Sequence, residues 1–276
     1  MIAEELPDGR RQVQFGHAFD SYPNPIRQIE TSPLLVTYSD QGSNGLSVNF
    51  QRHLRDNIVT WTKGSLPRPV HYNCWEAIYF EHDSNTLSEI VELAADIGAE
   101  RFVLDDGWFG TRDDDTQSLG DWNIDQRKYP GGLGSLISKV NQCNMSFGLW
   151  FEPEMINPNS DLFRKHPNWI LGPIDQMLGR NQLVLDMANP EVQEYLFRKI
   201  SSILNDHNIA YIKWDHNRVL PFVEAAQTCG TYQLLSRIRD EYPNVEIESC
   251  ASGGGRIDFG ILKYTQRVWL SDSNDA

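Results

Sequence analysis

Residues 209–215 read Ile-Ala-Tyr-Ile-Lys-Trp-Asp, an apolar run that ends in a lysine, a tryptophan and a carboxylate. A strand that ends in this way carries two charges out of a buried sheet to an edge where parallel α/β folds bind their ligands. Burying charges near such an edge costs free energy unless they are paired or used. The segment alone therefore leaves two interpretations of Lys213 and Asp215, a structural ion pair or a functional site.

The same pattern recurs along the chain and favours the functional interpretation. The residues that follow the apolar runs include Trp75, Glu76, Asp105, Asp106, Trp108, Trp150, Glu152, Glu154, Asp186, Glu248 and Asp272. The carboxyl ends of the strands of a β/α barrel converge on one rim, so these side chains would line one acidic, aromatic cavity. Helix N-caps explain some aspartates at strand-to-helix turns, Asp186 among them, but tryptophan is not a capping residue.

The order of the apolar segments predicts the fold class. From residue 70 onward, short β-rich segments alternate with amphipathic helical ones. The predicted strands are 70–80, 101–106, 146–152, 182–186, 209–215, 245–249 and 267–271. The predicted helices are 85–99, 133–143, 189–207, 223–241 and 257–264. This alternation predicts an α/β fold with about seven strands in a parallel, barrel-like order.

Two local signals sharpen this prediction. Before residue 69 the pattern is irregular, with 34–38 as the best strand candidate and 44–55 as a helix-like stretch. Asn189-Pro190-Glu191 combines an N-cap, a proline in the first helical turn and an acid near the positive end of the helix dipole. The inward face of the helix that follows is predicted to be Val192, Tyr195, Leu196, Ile200 and Ile203, which are core residues.

Composition narrows the class of partner. The chain has 276 residues, 40% of them hydrophobic and 22% charged, which suits one large domain or an α/β barrel. Its formal net charge of -14 argues against a nucleic-acid or an anionic-membrane partner. The four cysteines are widely spaced and lack a C-x-x-C pair, so we expect free thiols, no metal and a cytoplasmic location, since the first residues resemble no leader.

An acidic cavity has three main uses in proteins. Its carboxyl groups bind hard metal ions, move a proton as a general acid or base, or act as a pair in glycoside hydrolysis. Tryptophan favours the last use, because a sugar presents apolar C–H faces to aromatic rings and hydroxyls to carboxylates. The residues therefore predict sugar chemistry without a cofactor.

Five motifs in this order resemble glycoside hydrolase family 36, the bacterial α-galactosidases. They are 104–108 (Leu-Asp-Asp-Gly-Trp), 148–155 (Gly-Leu-Trp-Phe-Glu-Pro-Glu-Met), 211–215 (Tyr-Ile-Lys-Trp-Asp), 250–256 (Cys-Ala-Ser-Gly-Gly-Gly-Arg) and 269–272 (Trp-Leu-Ser-Asp). The resemblance extends from about Val36 to the last residue. It implies that 1–66 is the end of an N-terminal β-sandwich domain with a linker. It also implies that 67–276 is a catalytic (β/α)8 TIM-type barrel, truncated before its last strand.

The resemblance implies a retaining α-galactosidase that removes terminal non-reducing α-D-galactosyl residues from galacto-oligosaccharides such as melibiose and raffinose. Asp215 is then the nucleophile and Asp272 the acid/base, with Asp275 as the rival for the second role. Retaining enzymes hold these two carboxyl groups about 5–5.5 Å apart. Lys213, beside Asp215, would keep that carboxylate ionised.

Further residues are implied to contact the galactosyl group. They are Asp105 and Asp106 at the O4 and O6 hydroxyls, Trp75 and Trp150 as stacking walls, Lys213 and Arg180 as hydroxyl donors, and Asn217 and Cys250 on the O2 side. Two of them have structural alternatives, because Cys250 fits a small buried hydrophobe and Arg180 fits an ion pair with Asp186. Gly253 opens a glycine run that lacks the lysine and spacing of a nucleotide-binding loop. Close approach of sugar to backbone, or a tight turn, explains that run better.

The chain departs from the family pattern in several places. His216 stands where family members carry methionine, and Ser273-Asn274 stands near a usual threonine. The N-terminal domain is reduced and the chain stops at Ala276, so two sheet edges would be open. We therefore expect the isolated chain to be poorly soluble or inactive, and the parent enzyme to be a homo-oligomer such as a tetramer. A transglycosidase of the raffinose or stachyose synthase type and a catalytically silent galactoside-binding fragment remain alternatives.

Overall fold

The computed structural model describes residues 2–14, 33–61, 67–222 and 224–273. At the amino end, β1 (Ile2–Glu5) and β2 (Arg11–Gln14) form an antiparallel hairpin. Helix α1 (Gly42–His53) follows and continues into a π-helical turn, Leu54–Ile58, which confirms the helix predicted at 44–55. The strand predicted at 34–38 is wrong, since these residues pair with no strand among the described ones. Within the described part of the chain, Leu34, Val36 and Tyr38 are 61%, 79% and 84% exposed, so this run lacks the buried face of a strand.

The central element is a curled parallel sheet. The strands from residue 67 onward are β3 (His71–Asn73), β4 (Arg101–Leu104), β5 (Ser146–Phe151), β6 (Met155–Ile156), β7 (Leu183–Val184), β8 (Tyr211–Trp214), β9 (Glu246–Ser249) and β10 (Arg267–Val268). Six of these strands pair side by side in the order β10-β9-β8-β5-β4-β3, every pair parallel. Their burial on both faces is typical of a parallel sheet covered by helices. The predicted α/β fold is thus confirmed.

The strand predicted at 182–186 does not belong to this sheet. Within that stretch, β7 pairs antiparallel with β6, where Met155 faces Val184 and Ile156 faces Leu183. The parallel neighbour of β5 is instead β8, with Gly148 opposite Tyr211. A Cβ atom on Gly148 would lie 2.6 Å from the Tyr211 ring, so only glycine allows this approach. An apolar run identifies a buried strand but not its partner, which is why the prediction failed.

Two other predicted elements are shorter than expected. The strand predicted at 70–80 ends at Asn73, whose Oδ1 accepts a hydrogen bond from the Trp75 backbone N–H at 2.9 Å and turns the chain into helix α2 (Trp75–Ile78). The helix predicted at 257–264 is only a 3-10 turn, Ile261–Lys263. Asp258 Oδ1 accepts the Ile261 N–H at 2.9 Å at the start of this turn. Hydrophobic periodicity reports neither of these side-chain contacts.

The longer helices cover the sheet and agree with the predictions. They are α3 (Ser84–Asp96), α4 (Gly134–Gln142), α6 (Pro190–Asp206) and α7 (Ala225–Glu241). The short helix α5 (Asp161–Lys165) and a 3-10 turn at Pro167–Trp169 were not predicted. The Asn189 side chain caps α6 by accepting the Glu191 N–H, as predicted. The predicted inward face of α6 is buried except for Tyr195, which is half-buried and donates its hydroxyl to the Gly120 carbonyl at 2.8 Å.

Aromatic packing fixes the strand ends on which the site is built. Trp108 and Phe109, just after β4, pack against Trp150 and Phe151 at the end of β5 and against Trp122. The Trp108 Nε1–H donates to the Trp150 carbonyl at 2.9 Å, which ties the two ends together. Of the helices in the described part of the chain, none combines the length and apolar character needed to cross a bilayer. The division into domains at residue 66 stays a prediction.

Candidate active site

A cavity of about 250 Å³ opens at the carboxyl ends of the parallel strands. Its lining residues are Asn73, Trp75, Glu76, Tyr79, Asp105, Asp106, Trp150, Arg180, Lys213, Asp215, Asn217, Trp269 and Asp272. Every residue to which the family resemblance gave a role is in this group except Cys250 and Gly253. The wider prediction that all the strand-end residues line the cavity is wrong for Trp108, Glu152, Glu154, Asp186 and Glu248, which are absent from its lining. Residues from five strand ends or the loops after them therefore meet at one place, as the barrel argument requires.

Asp215 is buried and is held by several hydrogen-bond donors. Its Oδ2 accepts from Trp150 Nε1 at 3.1 Å and from Asn217 Nδ2 at 2.7 Å, and its Oδ1 accepts from the His216 N–H at 2.8 Å. Burial alone would raise the pKa of Asp215, but the Lys213 charge and the donors from Cys250, Asn217 and His216 lower it below its ordinary value. The site therefore holds a carboxylate with a fixed orientation.

Lys213 forms an ion pair with Asp105 and acts on Asp215 through its charge. Its Nζ lies 3.0 Å from Asp105 Oδ2 and 4.6 Å from the centre of the Trp269 ring. Burial lowers the pKa of Lys213, yet the charges of Asp105 and Asp215 raise it above the ordinary value, so the ammonium group stays protonated. The direct ion pair of Lys213 is thus with Asp105. The structural ion pair between Lys213 and Asp215, which the sequence left open, does not form.

Asp105 and Asp106 are both buried and both constrained. Asp105 Oδ2 accepts from Asn73 Nδ2 at 2.5 Å, and its Oδ1 accepts from the Asp106 N–H at 2.9 Å. Asp106 receives two parallel hydrogen bonds from the Arg112 guanidinium, at 2.9 and 2.8 Å. Arg112 is only 1% exposed and also donates to Asn157 Oδ1. Both aspartates therefore present oxygens to the cavity in fixed positions.

Asp272 follows β10 and is exposed at the cavity mouth. Its Oδ1 accepts a hydrogen bond from Trp269 Nε1 at 3.0 Å. Gly253, at a φ of +82°, packs against the backbone just before it, and a Cβ there would lie 2.9 Å from Ser271 Cα and 3.0 Å from Asp272 N. The close approach that requires glycine is thus between two backbones. The rival acid Asp275 lies outside the described residues.

The two tryptophans differ in their surroundings. Trp150 is 2% exposed and lies nearly parallel to Phe109, with ring centres 6.2 Å apart. Its indole N–H donates a hydrogen bond to Asp215. Trp75 packs edge-on against Tyr79 and Phe80 beside the cavity. Trp150 therefore orients a carboxylate as well as lining the cavity, a position that the sequence did not predict.

Arg180 lies in a tight turn at the cavity wall. Arg180 and Asn181 both have positive φ, at 52° and 59°, and backbone hydrogen bonds between Gly179 and Gln182 close the turn. The alternative pairing with Asp186 is not seen in the described part of the chain. Asp186 Oδ1 instead accepts from the Ala188 N–H at 3.0 Å.

Cys250 is buried, as the structural alternative predicts, and its contact with the O2 side of the sugar stays a prediction. It is 1% exposed, and its thiol donates a hydrogen bond to Asp215. Burial and the charge of Asp215 raise the pKa of the thiol, so it stays protonated and remains a donor.

The sequence argument assigned no role to several residues around the cavity, although it placed Glu152 among the strand-end residues. Glu152 accepts the Asn217 N–H at 2.5 Å, and Gln182 Nε2 donates to the same carboxyl group at 3.0 Å. Trp269, Asn73 and Arg112 each orient an acidic side chain of the cavity. Glu152 and Trp269 stand inside the quoted motifs, so motif membership could have identified them, whereas Asn73 and Arg112 needed the tertiary contacts.

A second cavity, of about 400 Å³, lies on the other side of Asn217. Its floor is Glu154, whose carboxylate accepts from Trp214 Nε1 at 2.9 Å, Arg256 Nη1 at 2.8 Å and Thr231 Oγ1 at 2.9 Å. His216, which replaces the expected methionine, lies with Nε2 4.0 Å from Glu154 Oε2. Burial lowers the pKa of His216, which favours the neutral ring. Across the described ranges, no cluster of His, Cys, Asp and Glu is arranged to hold a metal ion.

Comparisons with known proteins agree with the geometry. A family model described as Melibiase matches residues 28–276. The chain is 47% identical over 290 residues to an alpha-galactosidase of Escherichia coli, covering all of this chain and 40% of that protein. It is 41% identical to alpha-galactosidase AgaA of Geobacillus stearothermophilus, covering 91% of this chain and 37% of that one. The chain thus spans about two fifths of the length of these relatives.

Solved structures give the same result. The GH36 alpha-galactosidase AgaB from Geobacillus stearothermophilus superposes with a TM-score of 0.81 at 42% identity, over 86% of this chain and 35% of that one. A variant of AgaA from the same organism, solved in complex with raffinose, superposes with a TM-score of 0.82 at 40% identity, over 86% and 35% of the two chains. The predicted TIM-type barrel is confirmed for the part of the chain that superposes.

Proposed function

This chain belongs to the Melibiase family, glycoside hydrolase family 36, and we propose that the protein containing it is a retaining α-galactosidase. The proposed reaction removes terminal non-reducing α-D-galactosyl residues from galacto-oligosaccharides of the melibiose and raffinose type. The relatives named as alpha-galactosidases support the activity, and the relative solved with raffinose supports the substrate class.

The observation that carries this proposal is the environment of Asp215. A buried carboxylate is held ionised by Lys213 and oriented by four neutral donors in a cavity that it shares with Asp272. Nucleophilic catalysis needs such a carboxylate, unprotonated and aimed at one position. A merely structural aspartate would gain nothing from an open cavity beside it.

In the proposed mechanism, Asp215 attacks the anomeric carbon and forms a C–O bond to it. The bond to the leaving sugar breaks at the same time, while Asp272 donates its proton to the departing oxygen. Asp272 then takes a proton from water, which attacks the anomeric carbon and releases Asp215. Two inversions give net retention, with the carboxyl groups expected about 5–5.5 Å apart.

The remaining cavity residues bind the galactosyl group in this proposal. Asp105 and Asp106 accept hydrogen bonds from O4 and O6, since both point constrained oxygens at the cavity. Lys213 and Arg180 donate to hydroxyls, and Trp75 covers an apolar face of the ring. Asn217 contacts the O2 side, with Cys250 and Gly253 supporting it from behind the wall.

The test is Asp215→Gly in the full protein that contains this chain, assayed with p-nitrophenyl α-galactoside. We expect turnover to fall by about 10³-fold or more, as loss of a catalytic nucleophile does. Added azide should restore p-nitrophenol release by attacking the anomeric carbon in place of the carboxylate, giving β-galactosyl azide. An inactive variant that azide leaves inactive would remove Asp215 from the nucleophile's role.

Two further experiments separate the alternatives. Incubation with raffinose alone yields free galactose from a hydrolase, whereas a transglycosidase yields longer galactosides. A silent galactoside-binding protein would bind galactose and release no p-nitrophenol in any condition. The homo-oligomeric parent, the cytoplasmic location, the absence of a cofactor and the domain division at residue 66 all stay predictions.

A further inference from the structure

We propose that Glu152 is a positioning residue, carried as a neutral carboxylic acid, that joins the Arg180 turn to Asn217 and so helps to orient Asp215. This inference rests on the function proposed above and concerns a carboxyl group to which that mechanism gives no role.

Glu152 connects two loops that line the cavity. It follows β5, is 1% exposed, and accepts the Asn217 backbone N–H on Oε1 at 2.5 Å. Its Oε2 accepts from Gln182 Nε2 at 3.0 Å, and Gln182 closes the turn that presents Arg180. One side chain therefore sets the positions of a proposed hydroxyl donor and of the residue that contacts Asp215.

The connection reaches the nucleophile through a single residue. Asn217 gives its backbone N–H to Glu152 and its side-chain Nδ2–H to Asp215 Oδ2, at 2.7 Å. Trp150, two residues before Glu152, donates a further hydrogen bond to the same Asp215 oxygen through its Nε1. Loss of the Glu152 acceptor would free the Asn217 backbone and weaken one of the hydrogen bonds that keep Asp215 ionised.

The hydrogen-bond partners of Glu152 indicate a neutral group. Glu154, two residues on and equally buried, is paired with the Arg256 guanidinium at 2.8 Å. Glu152 makes no such ion pair in the described part of the chain, and both of its donors are amides. Burying a carboxylate without a cation costs free energy, so the protonated acid is the more stable form.

The charges that face Glu152 agree with this assignment. Asp215, at the end of β8, opposes a second negative charge, while Arg180 and Arg112 only partly offset it. Burial first and the Asp215 charge second raise the pKa of Glu152. The Lys213 ammonium interacts with Asp105 and Asp215. The proton therefore belongs on Glu152, and Asp215 remains the anion.

The Gln182 amide can pair with a neutral Glu152. As placed, its Nε2 donates to Glu152 Oε2 at 3.0 Å. A half rotation of the amide exchanges its nitrogen and oxygen. In that orientation a protonated Glu152 Oε2 would donate to Gln182 Oε1, which a carboxylate cannot do.

The kinetic test compares Glu152→Leu with Glu152→Gln in the full protein. The leucine removes both acceptors, so we expect kcat/KM to fall by about 10- to 100-fold, the size of a small misplacement of catalytic groups. The acidic limb of the pH profile should also move to higher pH, because Asp215 loses a fixed donor. Glutamine is neutral and keeps an acceptor for Asn217, so it should restore most of the rate and the original acidic limb.

The direct test reads the protonation state. Infrared difference spectra between the wild-type protein and Glu152→Gln at pH 6 should show loss of a carboxylic-acid C=O band. The matched variant Glu154→Gln should instead lose a carboxylate band. This comparison does not need activity, and it decides the assignment even where Glu152→Leu fails to fold.

Three outcomes would overturn the inference: a carboxylate band assigned to Glu152, a Glu152→Gln enzyme as impaired as Glu152→Leu, or a Glu152→Leu enzyme with the wild-type pH profile. Failure of the proposed function is distinguishable from these outcomes. An inactive wild-type protein would refute the α-galactosidase proposal alone, because the infrared spectra would still report on Glu152.

Discussion

Lys213 Nζ lies 3.0 Å from Asp105 Oδ2, at the meeting point of two strand ends that are 108 residues apart in the chain. The same ammonium group lowers the pKa of Asp215. One cation thus fixes a proposed substrate-binding carboxylate and keeps the proposed nucleophile ionised. The charges at this strand end therefore form an ion pair and also belong to the proposed active site.

Replacing Lys213 by methionine should shift the pH dependence of catalysis. Without the cation the pKa of Asp215 rises, so the carboxylate form is lost at a higher pH than in the wild type. We expect the acidic limb of the kcat/KM profile to move to higher pH, with a fall in rate of about 10²-fold at neutral pH. Lys139→Met, which removes a surface ion pair with Glu92, is the control and should leave the profile unchanged. An unshifted acidic limb in Lys213→Met would contradict the role of this cation.

Arg112 should be essential for stability. It is 1% exposed and its guanidinium is the bidentate partner of buried Asp106. Arg112→Met would leave that carboxyl group buried without a partner, which costs about 3–5 kcal/mol of unfolding free energy. Urea denaturation would measure the loss. Arg164→Met breaks the exposed pair with Asp161 and should have little effect. Equal stability of the two variants would show that Asp106 is neutral or otherwise satisfied.

The Glu154 cluster should contribute to acid stability. Burial would raise the pKa of Glu154, but the Arg256 charge, the charge that His216 carries once it is protonated at low pH, and the Trp214 hydrogen bond lower it from 4.5 to about 2. The folded pKa lies below the unfolded one, so the stabilisation is complete above about pH 4.5 and is lost as the pH falls towards 2.

This contribution is on the order of 3 kcal/mol at neutral pH. Urea denaturation between pH 7 and pH 2.5 should show a steeper loss of stability for the wild type than for Glu154→Gln. The control Glu194→Gln removes a carboxylate that pairs with Arg198 and Arg237 on the surface, and it should follow the wild-type curve closely. Parallel curves for the wild type and Glu154→Gln would contradict the lowered pKa.

Gly253→Ala should impair catalysis more than its backbone strain explains. A Cβ there would lie 2.9 Å from Ser271 Cα and 3.0 Å from Asp272 N, so the segment that carries the proposed acid/base must move. We expect kcat/KM to fall by at least about tenfold.

Gly98→Ala is the matched control for this prediction. Gly98 has a similar φ of +89°, but nothing lies within 4 Å of its Cβ position. Both variants should lose about 1 kcal/mol of stability from the left-handed conformation. Only Gly253→Ala should lose activity, and equal kinetics in the two variants would refute the contact with the Asp272 segment.

The local chemistry of the chain determined much of the fold. Helix α6 begins where its asparagine cap and proline predict, and its inward face follows from the 3.6-residue period. The strands β4, β5, β8 and β9 follow from apolar runs that are buried on both faces. Prediction failed at 182–186 and at 34–38, because an apolar run does not specify which strand, if any, will pair with it.

The candidate site, like the fold, was determined partly by the sequence and partly by tertiary contacts. The sequence by itself determined which residue types stand at strand ends, and motif order identified the family from them. Only the tertiary structure decided that Lys213 pairs with Asp105, that Trp150 and Asn217 orient Asp215, that Arg112 neutralises Asp106, and that Gly253 supports the Asp272 backbone. These contacts join residues far apart in the chain, and their energies depend on distance and burial, which no local pattern encodes.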